Sequence, residues 1–133
     1  VRMRRVAIVT GAAGFIGRHA ALALSRAGWS VHGLGHGSWS EAERAAWGVA
    51  DWIASDVTLE ALVALAGECG EPQAVLHCAG GAEVAFSLRR PREDFKRTVH
   101  ATLEVLEFAR ELGSAPAVVL PSRVPTSPAQ PTS

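Results

Sequence analysis

Short apolar runs and amphipathic stretches alternate along the chain, and turn residues punctuate them. Val6-Ala-Ile-Val9 is apolar at every position, the pattern of a strand buried on both faces of a parallel sheet, and Thr10-Gly11 ends it. From Phe15 to Ala27, the residues Phe15, Ile16, Ala20, Ala23, Leu24 and Ala27 recur at three- and four-residue steps and predict a helix, with Gly28 placed to stop it. Ser30 to Leu34 reads as a second strand, and Gly33, Gly35 and Gly37 predict a loop around its end. Glu41 to Trp47 has room for one or two helical turns, and Trp52 to Ala54 is a short third strand. Thr58 can cap a helix whose buried side carries Leu59, Leu62, Val63 and Leu65, broken by Gly67 and Gly70. Ala74 to Cys78 is the fourth strand. Pro91 opens a long helix to about Leu112, with Phe95, Val99, Leu103, Leu106 and Ala109 among its apolar positions, and Ala117 to Leu120 makes a fifth strand.

This alternation predicts an α/β protein, a Rossmann-type doubly wound parallel sheet truncated after about five strands. Residues 1–120 form one expected domain. The last residues, 121–133, are rich in Pro, Ser and Thr and predict an irregular tail.

Composition narrows the function classes. Thirteen basic and thirteen acidic side chains give a formal net charge of zero in 133 residues, which argues against a nucleic-acid partner. No apolar run reaches the roughly 18 residues of a membrane span. The basic start runs into glycines, Arg18 and His19, unlike a signal peptide, so a cytoplasmic protein is expected. Cys69 and Cys78 are too few for a disulfide framework, and His77 and Cys78, adjacent on a strand, point to opposite faces, so no metal is expected.

Thr10-Gly11-Ala-Ala-Gly14-Phe-Ile-Gly17 lies between the first strand and the first helix. Gly11 permits a tight turn, Gly14 lets backbone approach a pyrophosphate, and Gly17 allows close helix–strand packing, while the helix N-terminus offers unpaired N–H groups. A dinucleotide is the expected ligand, which makes residues 1–120 an expected NAD(P)-binding domain. The acidic residue that usually meets the ribose at the end of the second strand is replaced by Gly35. His36 or Arg44 is then a candidate for a 2′-phosphate, or backbone alone holds the ribose. NAD is the expected cofactor, with NADP left open.

These segments together resemble the extended short-chain dehydrogenase/reductase family, the NAD-dependent nucleotide-sugar epimerases and dehydratases. Thr10 to Gly17, with its Phe15-Ile16 pair, resembles the family's cofactor loop. Asp56-Val57 is similar to its adenine-contacting Asp, and Pro72 to Gly80, including Cys78 and Ala79, to its fourth strand and the turn beside the cofactor. Val84 to Pro91 resembles the V-x-x-S-x-x-x-P segment and implies that Ser87 touches substrate. Thr98 to Leu106 resembles the helix written N-x-x-G-T-x-x-x-L, with Thr98 in place of Asn. The likeness runs from about residue 5 to residue 122.

The family's Tyr-x-x-x-Lys pair has no counterpart here. The chain contains no tyrosine, and its one lysine, Lys96, precedes the fifth strand. No catalytic residue is therefore assigned. His77 reads as a core histidine, and Arg89, Arg90, Arg92, Lys96 and Arg97 as a solvated helix start rather than a phosphate contact. Trp39, Trp47 and Trp52 either wall the adenine side or cover the sheet. The expected function is the dinucleotide-binding N-terminal part of a sugar-nucleotide epimerase or dehydratase, not catalytic as it stands. A nucleotide sugar would be the partner of a full-length form, and an exposed fifth strand would favour self-association. A stand-alone nucleotide-sensing module and an NADP-dependent reductase-like fragment are the alternatives.

Overall fold

The computed structural model describes residues 4–79 and 88–121. Five parallel strands, β1 (Val6–Thr10), β2 (Ser30–Gly35), β3 (Val49–Ala54), β4 (Ala74–His77) and β5 (Ala117–Val119), make one sheet in the order β3-β2-β1-β4-β5. The connecting helices are α1 (Phe15–Arg26), α2 (Glu41–Ala46), α3 (Leu59–Cys69), α4 (Pro91–Phe95) and α5 (Ala101–Glu111), and a π-helical turn, Lys96–His100, joins the last two. Successive residues of β1 serve opposite layers. Ile8 enters a cluster with Leu34, Leu62, Leu65, Val75, Val105 and Phe108 under α3 and α5, and Val9 enters another with Ala12, Ala21, Val31 and Val49 under α1. This two-sided burial is why β1 is apolar throughout.

Several elements differ from the sequence pattern for steric reasons. On α1 the buried residues are Gly17 and Ala21, whereas Phe15 is 78% and Ile16 57% exposed. The helix lies so close to the preceding loop that small residues face inward and large ones outward. The strand β2 continues through Gly33 and Gly35, where a loop was expected, because both are paired to β3 and both lie under Trp52. A Cβ at Gly35 would stand 2.9 Å from the Trp52 ring, and one at Gly33 2.9 Å from the Ala12 methyl. Pairing of Val31 with Val49 starts β3 three residues earlier than its composition suggests.

The Thr58 hydroxyl accepts from the Ala61 N–H at 3.1 Å, as a cap should, but α3 runs through Gly67 and ends at Gly70, where φ is +92°. Leu62 and Leu65 are buried, and Val63 is exposed. The Glu104 carboxylate on α5 accepts from the Leu59 N–H at 2.6 Å, so a negative side chain from one helix satisfies the N-terminus of its neighbour. At the far edge, His32 is bonded on both ring nitrogens, to Ser30 Oγ at 2.9 Å and Asp51 Oδ2 at 2.7 Å, which ties β2 to β3.

The long helix buries Ala101, Val105 and Phe108, while Phe95, Val99, Leu103 and Leu106 remain exposed. The 121–133 tail lies outside the described residues apart from Pro121.

Candidate functional site

The strand order reverses between β1 and β4, and the crevice beyond their carboxyl ends is where an open α/β sheet offers a ligand site. Gly11 leaves β1 at φ +66° and donates its N–H to the Leu34 carbonyl at 2.7 Å. A Cβ on it would meet Ala79 N at 2.7 Å, and one on Gly17 would lie 2.1 Å from the Gly11 carbonyl oxygen. Gly14 is different. Its φ is −75°, it is exposed, and an added Cβ would meet only the Gly11 oxygen at 3.2 Å. It is the N-cap of α1 and provides no side-chain cap, which leaves first-turn N–H groups for an incoming anion. Arg18 braces the loop from behind, donating Nε–H to the Ala13 carbonyl at 3.1 Å while its guanidinium lies 5.3 Å from the Trp47 ring centre.

The β4 side is fixed by a hydroxyl. Thr10 Oγ1 accepts from the Ala79 N–H at 3.2 Å and lies 2.6 Å from His77 Nδ1. His77 is only 5% exposed, and its Nε2 is buried without a hydrogen-bond partner among the described residues. Burial holds its pKa below the ordinary 6.5. Above about pH 6.5 the ring is neutral in both folded and unfolded chains. Below it the unfolded chain takes up a proton that the folded one refuses. Stability is therefore expected to fall as the pH drops from about 6.5 toward the folded pKa, by at most about 1.4 kcal/mol per pH unit from this group. Urea unfolding of the protein and of His77→Asn, at about pH 8 and pH 5.5, checks this: the variant should lose less stability on acidification.

Gly11, Gly14, Cys78 and Ala79 line one side of an open cleft of about 820 Å³. His36, Asp56 and Val57 line it from beyond the ends of β2 and β3, together with Trp52. The His36 Nε2 is 2.7 Å from Asp56 Oδ1, and both side chains are more than three-quarters exposed. Of the other residues singled out in the sequence, Gly17 packs the loop, Phe15 and Ile16 point into solvent, and Gly80 and Ser87 lie outside the described residues. Arg44 is not at this cleft. It lines a separate hollow with Arg4, Ser25 and Trp29.

The two readings open to the tryptophans separate here, and three basic residues line the cleft that were not expected there. Trp52 forms part of the wall, with Trp39 edge-on to it at 5.2 Å, whereas Trp47 stacks against His19 of α1. Lys96, Arg97 and His100 of the π turn also line the cleft, with Glu93, while remaining exposed to solvent as a helix start was expected to be. A π turn points side chains away from the helical phase read from sequence, and such turns are frequent at functional sites. Burial pushes the Cys78 thiol up, and burial first, then the Asp51 and Glu68 carboxylates, takes Cys69 up to about 11, so both remain protonated thiols. Among the described residues no group of three His, Cys, Asp or Glu side chains is arranged to hold a metal ion.

The profile of the NAD dependent epimerase/dehydratase family matches residues 7–130. The chain belongs to that family. Among solved structures it is similar to the UDP-glucose 4-epimerase from Brucella ovis in complex with NAD, at 28% identity and a TM-score of 0.73, covering 91% of this chain and 39% of that one. It is similar to the Thermotoga maritima UDP-glucose 4-epimerase with UDP-glucose, at 30% identity and a TM-score of 0.69, covering 81% of this chain and 35% of that one. The Thermus thermophilus UDP-glucose 4-epimerase complex with NAD matches at 31% identity and a TM-score of 0.68, covering 80% and 34%. No match was found among curated proteins. The chain thus spans well under half the length of these structures. In this epimerase/dehydratase-family chain, Thr98 bonds within its own helix, its carbonyl accepting from Thr102 Oγ1 at 2.6 Å. No helix among the described residues is long and apolar enough to cross a membrane.

Proposed function

We propose that this chain is the dinucleotide-binding part of an NAD-dependent sugar-nucleotide epimerase or dehydratase, and that it binds NAD in the cytoplasm without turning over a sugar. The observation that carries the reading is the glycine loop. Gly11 and Gly17 are locked against backbone, whereas Gly14 is open toward the cleft at the uncapped start of α1. That combination is suited to a pyrophosphate, which needs close backbone approach and N–H donors. The adenosine end then reaches His36, Asp56 and Val57, and the nicotinamide end runs past Cys78 and Ala79.

NAD, when bound, supplies the hydride acceptor. The chain's own residues would bind and orient it, but transfer from a sugar also requires a base on the hydroxyl that becomes a carbonyl. No tyrosine is present, and His77, at the end of β4, is buried against Thr10 with its pKa lowered. Lys96 stands at the cleft with no phenol to act on. In a longer form of the protein, a nucleotide sugar such as the UDP-glucose bound by the Thermotoga relative is the matching substrate class.

Calorimetric titration with NAD and an NAD-dependent epimerisation assay on UDP-glucose test both halves. Binding without turnover is expected. Turnover by the 133-residue chain would overturn the non-catalytic reading, and absence of NAD binding would overturn the dinucleotide reading.

A further inference from the structure

A serine, a histidine and an aspartate are joined in series at the amino end of the sheet, away from the cleft at the carboxyl ends of the strands. Side chains two apart on a strand share a face, so Ser30 and His32 of β2 stand side by side. Between Val31 and His32 the pairing with β3 slips. Val31 is opposite Val49, but His32 is opposite Asp51, and Ala50 is passed over. This bulge gives the imidazole a carboxylate for a neighbour in place of a methyl group, and bulges commonly re-aim side chains in this way. His32 is 6% exposed, with Nδ1 2.7 Å from Asp51 Oδ2 and Nε2 2.9 Å from Ser30 Oγ. A carboxylate only accepts, so Nδ1 carries the proton. Nε2 of the neutral ring is then an acceptor, and the Ser30 hydroxyl donates to it. These are the roles of a serine nucleophile, its base and the carboxylate that orients the base.

We propose that Ser30, His32 and Asp51 form a second chemical site, an activated serine that takes the acyl group of a small activated ester and passes it to water. The site does not depend on the dinucleotide reading. Ser30 is half-buried and lines the hollow of about 320 Å³ with Arg4, Ser25, Trp29, Glu41 and Arg44. Two guanidinium groups against one carboxylate give that hollow a positive balance, which favours the oxygen anion of a tetrahedral intermediate. Ser30 Oγ bonds to the ester carbonyl carbon, and its proton passes to His32 Nε2. The bond to the leaving oxygen then breaks, His32 returns the proton to that oxygen, and the acyl group stays on Oγ. Water repeats the sequence on the acyl-serine, and a carboxylic acid and the free Ser30 hydroxyl result. Asp51 is a positioning residue, holding the ring with Nε2 toward the serine. The thiol of Cys69 is near enough to feel the Asp51 charge, but it is pushed up to about 11, by burial first and then by the Asp51 and Glu68 carboxylates, and does not compete as a thiolate.

The full chain is treated with a fluorophosphonate, whose adduct on an activated serine is not released, and the tagged residue is found by peptide mass mapping. A tag on Ser30 is expected. No tag, or a tag only on other residues, would overturn the proposal, and this result needs no variant to fold. Hydrolysis of p-nitrophenyl acetate then reads the roles, in variants whose urea melts show that they are folded. Nitrophenolate release should slow about a hundredfold or more in Ser30→Ala and about tenfold or more in Asp51→Asn. Asp51→Glu, which keeps a carboxylate for Nδ1, should release nitrophenolate faster than Asp51→Asn. Equal rates in those two variants would remove the orienting role of Asp51, and an unchanged rate in Ser30→Ala would remove the nucleophile.

Discussion

A Gly17→Ala chain is expected to be destabilised by about 1–3 kcal/mol or more and to lose NAD affinity by well over tenfold, because its methyl group has nowhere to go. The added carbon would lie 2.1 Å from the Gly11 carbonyl oxygen, 2.8 Å from its carbonyl carbon and 2.9 Å from Ala12 Cα. All three are backbone atoms, so no side chain can swing aside. Either α1 moves off the loop, which unpacks Ala21 from Val9, Val31 and Val49, or the loop moves off the helix, which breaks the Gly11 N–H bond to Leu34. Gly14→Ala separates folding from binding. Its Cβ meets a single oxygen at 3.2 Å, so stability should change by about 1 kcal/mol or less, the scale of an altered N-cap. Its effect on NAD affinity should be the larger one, since the methyl group would occupy the side from which the pyrophosphate approaches. Urea unfolding and NAD titration of the two variants check this. A Gly17→Ala protein that binds NAD as tightly as the parent would show that the loop is not held by this contact.

The glycine loop was legible because its requirement is local. A tight turn, an uncapped helix start and a helix–loop contact each call for glycine within eight residues, so three spaced glycines after an apolar strand carry the message. The parallel sheet flanked by helices followed from the alternation of short apolar runs with amphipathic stretches. Less was legible where the deciding contact is distant in sequence. Gly33 and Gly35 look like loop residues until Trp52, nearly twenty residues on, is seen to fill the space above them. Arg44 looked as able as His36 to reach a ribose, yet α2 carries it to a different hollow. Lys96 and His100 reach the cleft through a π turn, which local propensity does not announce. Phe15 and Ile16 fitted a helical period and still point outward, because the approach of α1 to the loop admits only a glycine and an alanine.

Phe108→Ala is expected to cost about 3–5 kcal/mol, a large share of the roughly 5–15 kcal/mol that holds a domain of this size together. The ring is 1% exposed and sits among Ile8, Leu34, Leu62, Leu65, Val75 and Val105. It therefore joins β1, β2 and β4 to α3 and α5 at one point, and a cavity left there has walls contributed by five elements that cannot all collapse together. Leu103→Ala supplies the contrast, since Leu103 is on the same helix but 53% exposed, and truncating it should cost no more than about 0.5 kcal/mol in the isolated chain. The pair also tests the helical phase. Reading a regular period onward from Phe95 selects Val99, Leu103 and Leu106, whereas the buried set is Ala101, Val105 and Phe108. The apolar period beginning at Phe95 therefore marks the exposed face of the helix from end to end, and the sheet is held by the other set. Thermal or urea melts of the two variants, compared directly, decide which face the sheet holds.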